Sequence, residues 1–102
     1  MSESLMCNPD ALNEQEKEKR NTLFEKMKFA ITDVVETEGG YDISVVSNLV
    51  NIIDVDNIMV LEKKCCPFLE FDASFDGGYT TIKVTGPEGS KDIIVEQFGL
   101  IV

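Results

Sequence analysis

The chain has 102 residues, 43% of them hydrophobic and 27% charged, which is the length and composition of one ordered domain, not of two domains or a disordered polymer. Nineteen Asp and Glu against nine Lys and Arg give a formal charge of −10, so phosphate backbones and anionic lipid surfaces are repelled, and neither nucleic acid nor membrane is an expected partner. Histidine is absent and cysteine occurs three times; Ser-His and Cys-His catalysis and His-containing metal sites are thereby closed, and any metal must be held by sulfur and carboxylate.

No run approaches the roughly 20 apolar residues of a membrane helix. Met1 to Met6 offers neither the basic region nor the apolar core of a signal peptide, so a cytoplasmic location is expected. In that reducing setting an odd number of cysteines points to free thiols, a metal site or a redox site ahead of structural disulfides.

Residues 1–12 read as an N-terminal arm carrying Cys7, and residues 13–102 as a single α+β domain. Asn13-Glu14-Gln15-Glu16 has the form of a capping box, with the Asn side chain on an early amide and a Glu three residues on reaching back. A first helix starts there. Leu12, Leu23, Met27 and Ala30 fall near one side of it, and the mixed charges from Glu14 to Arg20 read as a solvated face.

Ile31 to Thr37 and Tyr41 to Ser47 are rich in Val, Ile, Thr and Tyr around Gly39-Gly40, which marks a β-hairpin with Tyr41, Ile43 and Val45 on one face. Asn48 or Asn51 caps a second helix that carries Val55, Ile58, Met59, Leu61 and Cys65 inward. Pro67 ends it, since proline lacks an amide hydrogen and pushes Cys66 away from helical angles.

Leu69, Phe71, Ala73 and Phe75 alternate with Glu70, Asp72, Ser74 and Asp76, the period of a strand with one wet face. Gly77-Gly78 turns the chain into a return strand from Tyr79 to Thr85. Thr85-Gly86-Pro87-Glu88 predicts a helix start with proline in its first turn, and Ile93, Ile94 and Phe98 form that helix's apolar side. The tail Phe98 to Val102 either closes over the domain's own core or packs against a second subunit in a homodimer.

The order helix, strand, Gly-Gly-Tyr, strand occurs twice, at Gly39-Gly40-Tyr41 and Gly77-Gly78-Tyr79. Internal duplication and two independent glycine hairpins explain it equally well. The expected architecture is a two-layer α+β domain: a four-stranded, mostly antiparallel sheet with helices on one face, in the order α-β-β-α-β-β-α. With short connections successive elements reverse direction, so the start of the first helix lies beside the finish of the second. Cys7 can then approach Cys65 and Cys66.

Three readings of these thiols stay open. They are small buried hydrophobes; they form a three-sulfur site for a soft ion such as zinc, Cu(I) or a thiophilic metalloid; or one is redox active with another as resolving partner. Neighbours on a helix point about 100° apart, so packing explains one of the pair well and not both. A disulfide between Cys65 and Cys66 themselves is disfavoured by the intervening peptide. Glu62, a helical turn earlier, supplies a carboxylate ligand or accepts a thiol proton; more simply, it is a surface partner for Lys63, Lys64 or another helix's charge. Those lysines lower thiol pKa values by proximity, whereas the helix C-terminus acts against thiolate.

Two other motifs lapse on spacing. Asp54, Asp56 and Asn57 lack the glycine and terminal glutamate of a calcium loop, and Gly86 to Lys91 is not spaced as a phosphate loop and includes Glu88.

Cys7-Asn8, Glu62 through Phe68 with Cys65-Cys66-Pro67-Phe68 at its centre, Leu69 and Thr85-Gly86-Pro87-Glu88-Gly89 with Lys91 together resemble a family of small, uncharacterised bacterial proteins, sometimes found as an appended domain. The resemblance spans nearly all of the chain. It implies that Cys7 belongs with Cys65 and Cys66, and it implies no reaction. The chain departs from the pattern at Asn13, where Ser or Thr followed by proline is expected; capping chemistry survives the change.

Overall fold

The computed structural model describes residues 6–100. Its elements are a 3-10 turn at Pro9–Ala11, then α1 (Glu14–Ala30), β1 (Ile31–Glu36), β2 (Gly40–Val46), α2 (Ile52–Cys65), β3 (Glu70–Asp76), β4 (Tyr79–Thr85) and α3 (Ser90–Phe98). The order of helices and strands is the expected one. Ile101 and Val102 of the apolar tail lie outside the described residues, as do residues 1–5.

Local sequence sets the element boundaries. Asn13 caps α1 by accepting from the Glu16 amide at 2.8 Å while Glu16 accepts from the Asn13 amide at 2.9 Å. Asn51 starts α2 with the same reciprocal bonds to Asp54, and each such cap contributes about 1 kcal/mol. Cys66, at φ −123°, leaves the helix ahead of Pro67.

The strands form one open sheet in the order β1-β2-β4-β3, with every neighbouring pair antiparallel. Ile43 pairs with Ile82 at the centre. Tyr41, Ile43 and Val45 of β2 and Thr80, Ile82 and Val84 of β4 are all buried, whereas Asp42, Ser44, Thr81 and Lys83 occupy the alternate positions. The helices cover only the first of these faces. Phe98 of α3 fills the middle of the core, edge-on to Phe24 at 5.2 Å and tilted against Phe71 at 6.3 Å, geometries that suit the quadrupoles of the rings.

The two Gly-Gly-Tyr triplets do different work. Gly77, at φ 61°, makes a tight turn that an L side chain would strain. Gly40 is instead needed for close approach, because a Cβ there would overlap the Val84 carbonyl. Tyr41 is buried at 5% exposure and Tyr79 stands out at 54%, so the triplets are not equivalent in structure.

Two expectations need correction. The chain from Gly86 to Gly89 is a turn, and α3 begins only at Ser90, behind an N-cap Gly89 in the left-handed region. The Ser90 amide donates to the Pro87 carbonyl, which closes the turn ahead of the helix and leaves Pro87 and Glu88 outside it. The alternation in β3 is real, but its apolar side is incompletely covered: Phe71 and Ala73 are half-buried and Phe75 is 50% exposed. β3 lies at the sheet edge, where nothing among the described residues packs beyond it.

α1 and α2 run antiparallel, and a ladder of charges fixes their register: Glu16 with Lys64 at 3.0 Å, Arg20 with Glu62 at 2.5 Å and Lys26 with Asp54 at 2.7 Å. This brings the start of α1 against the end of α2. The described end of the N-terminal arm, just ahead of α1, therefore lies at the same corner.

Candidate functional site

Cys66 follows the last residue of α2, and its amide donates to the Glu62 carbonyl at 2.6 Å. Leu69, fully buried, anchors the chain just beyond Pro67 as its amide donates to the Cys66 carbonyl. The arm approaches from the other side. Asn8 caps the short 3-10 turn with Pro9 at its start, the Asn8 amide donates to the Cys65 carbonyl at 2.7 Å, and Leu12 inserts into the core at 4% exposure. Main-chain bonding and burial thus hold Cys7 at the corner.

The result is a cluster in which the sulfurs of Cys7, Cys65 and Cys66 all lie within 4.8 Å of one another. Cys7 and Cys66 are joined as a disulfide across a sequence separation of 59, with their Cα atoms 4.3 Å apart. Cys65 keeps a free, buried thiol. The sequence ranked a structural disulfide behind free thiols, a metal site or a redox site; the convergence just described brings Cys7 and Cys66 to bonding distance without using the strained vicinal pair.

Glu62 is not on the surface. It is fully buried on the inward side of α2, where Oε2 accepts from Arg20 Nε at 2.5 Å and Oε1 has no hydrogen-bond partner among the described residues. Arg20 is itself fixed: it donates to Gln97 Oε1 of α3 at 2.7 Å and lies over the Phe24 ring, 4.5 Å from its centre. The Glu62 carboxylate is thus turned toward α1 and does not join the three-sulfur cluster within its 4.8 Å limit. Burial raises the Glu62 pKa despite the opposing hydrogen bond and charge of Arg20.

The Cys65 thiol is also pushed up, first by burial and then by the negative charge of Glu62, with Arg20 and the Asn8 amide pulling the other way. It is therefore protonated at neutral pH. Lys63 and Lys64 do not relieve it. Lys63 reaches the carbonyls of Pro67 and Leu69 at 2.9 and 2.8 Å, and Lys64 is held by Glu16. Beside Cys65 a cleft of about 280 Å³ opens between arm and helices, lined by residues that include Pro9, Lys17, Arg20, Cys65 and Gln97.

Arg20 and Gln97 are the site residues that sequence reasoning missed. Glu16, Arg20, Leu23, Met27 and Ala30 recur at three- and four-residue steps, so the stripe that marks the inward side of α1 passes through Arg20. That was the available signal. For Gln97, one residue from a core phenylalanine, the sequence offers none.

No protein-family model, no curated protein and no solved structure matches this chain. Among the described residues no helix is long and apolar enough to cross a membrane.

Proposed function

We propose that the reduced protein captures or senses a soft ion, zinc, Cu(I) or a thiophilic metalloid, through Cys7, Cys65 and Cys66, as a non-enzymatic site in the cytoplasm. The observation that carries this reading is the convergence of all three sulfurs within 4.8 Å, drawn from two segments far apart in sequence. Three thiolates and no imidazole make a soft donor set. The resemblance at Cys65-Cys66-Pro67-Phe68, with Cys7-Asn8, supports the same trio. Glu62 lies near enough to Cys65 for its charge to raise that thiol's pKa, and we assign its carboxylate as the acceptor for a thiol proton that an incoming ion displaces.

The disulfide and the ion compete for the same atoms. Closing the Cys7–Cys66 bond removes two protons and two electrons from the thiols, which a peroxide takes up to become water. It leaves Cys65 as the last thiol and no three-sulfur site. A second reading, a thiol redox protein, is favoured by this disulfide lying against a free thiol; an attacking thiolate would reach it through a mixed disulfide.

Protein purified without air or chelator and kept reduced should hold near-stoichiometric ion, or take up Cd(II) with a sulfur-to-metal charge-transfer band in the ultraviolet. Cys65→Ser should lose that band while keeping the wild-type circular dichroism. A folded, reduced protein that stays empty under Cd(II) titration ends the soft-ion reading, and rapid formation of one reducible disulfide with peroxide in that same protein selects the redox reading.

A further inference from the structure

The outward side of α2 and the free edge of β3 form a second surface with no part in the thiol corner. Ile52 and Ile53 of α2 are 59% and 67% exposed, and with Met59 they face Phe71 and Phe75 across a groove of about 410 Å³ whose lining also includes Asp56 and Asp72. Among the described residues, Phe71 to Asp76 make main-chain bonds only along the ladder to β4. The other side of β3 therefore presents unpaired amide and carbonyl groups, a template for a further strand. Only the start of that edge is closed, by Lys63 on the Leu69 carbonyl.

The side chains of β3 specify what can pair there. On one face Phe71, Ala73 and Phe75 look into the groove; on the other stand Glu70, Asp72, Ser74 and Asp76. A strand laid beside β3 alternates in the same way, so one set of its side chains enters the largely apolar groove and the other lies beside the carboxylates of Asp72 and Asp76. Asp72 has Lys83 opposite it on β4, and Glu70 is already paired with Lys63 at 3.3 Å. Opposite charges across neighbouring strands attract and like charges repel.

We infer that this edge binds, by strand addition, an extended partner segment in which apolar and basic residues alternate. Such main-chain pairing with alternate side chains in pockets is an established mode of peptide capture. A second copy of this chain does not fit. Its two sheet edges, Ile31–Glu36 and Glu70–Asp76, contain no Lys or Arg, and edge-to-edge pairing of two β3 strands would place Glu70 and Asp76 opposite one another.

The test uses two short fluorescent peptides, one alternating valine with lysine and one alternating valine with glutamate, titrated against the full chain. The lysine peptide should bind, weaken with added salt, and shift the amide resonances of β3 and the exposed side of α2. The glutamate peptide should not bind. In the variant Asp72→Lys/Asp76→Lys, two exposed positions away from the core, affinity for the lysine peptide should fall by about tenfold and the glutamate peptide should gain. Circular dichroism confirms that the variant folds.

Three results would overturn the inference. In one, neither peptide binds, and the acidic residues serve only to keep the edge from pairing. In another, the lysine peptide binds equally to wild type and variant, which is attraction to the overall negative charge. In the third, β3 resonances shift with protein concentration alone, which makes the occupant a second copy.

Discussion

Helix α2 has two long sides, and they are finished differently. Its inward side, Val55, Ile58, Leu61, Glu62 and Cys65, is buried to 5% exposure or less and sealed by charges from α1. Its outward side, Ile52, Ile53 and Val60, is left open beside the edge strand β3, with Met59 half-buried between the two sides and packed against the core. Apolar content does not separate the two sides. The difference is that only the inward one has partners within the chain, so polar groups there must be matched individually, whereas outside each residue answers to solvent. A single Arg20 in the wrong place would disable the first surface and leave the second untouched.

The largest effect should come from opening the disulfide. It closes a loop with a sequence separation of 59, which corresponds to about 4 kcal/mol of stability by loop entropy. Urea unfolding of oxidised and reduced protein should differ by that order, with the reduced form retaining its native circular dichroism because the Asn8 amide and Leu12 still hold the arm. Next comes Arg20→Met. It leaves the buried Glu62 carboxylate uncompensated, and stability at neutral pH should fall by about 3 kcal/mol. A loss much below that would mean water already reaches the carboxylate.

pH separates the two sides further. The Glu62 pKa is raised in the folded protein, so between the unfolded and the folded values the folded state keeps a proton that the unfolded chain has released. Its contribution is fully present below the ordinary carboxylate pKa and is lost as pH rises through the folded value. Glu62→Gln should flatten that decline in a series of unfolding midpoints, and Arg20→Met should steepen it. Glu16, held low by the Asn13 amide and Lys64, acts in the opposite sense: its contribution exists above the unfolded pKa and fades as pH falls through the folded one. The smallest effect belongs to the open side. Ile53→Ser should change the unfolding free energy by no more than about 0.5 kcal/mol, and a larger loss would show that the groove is already filled.

Much of this fold was legible because its boundaries are written in local chemistry. Asn13, Asn51, Gly77 and Pro67 each mark a start, turn or stop by a mechanism confined to a few residues, and the antiparallel approach of Cys7 to Cys65 and Cys66 followed from short connections. What escaped depends on contacts distant in sequence. Glu62 looked like a surface charge because nothing near it in the chain reveals an arginine waiting on another helix. Pro87 is the local exception: a turn closed by the Ser90 amide on the Pro87 carbonyl uses the same glycine and proline signals as a helix start. Phe75 looked inward because alternation reports which face a side chain takes, and says nothing of whether that face extends to the rim.

The sheet order carries one more consequence. β2 and β4 meet antiparallel at its centre, each the second strand of its own hairpin, so the two hairpins are related by an approximate half-turn about that seam. A backbone nick between Val46 and Ile52 would yield two fragments with the β2–β4 seam as the ready-made line along which to rejoin.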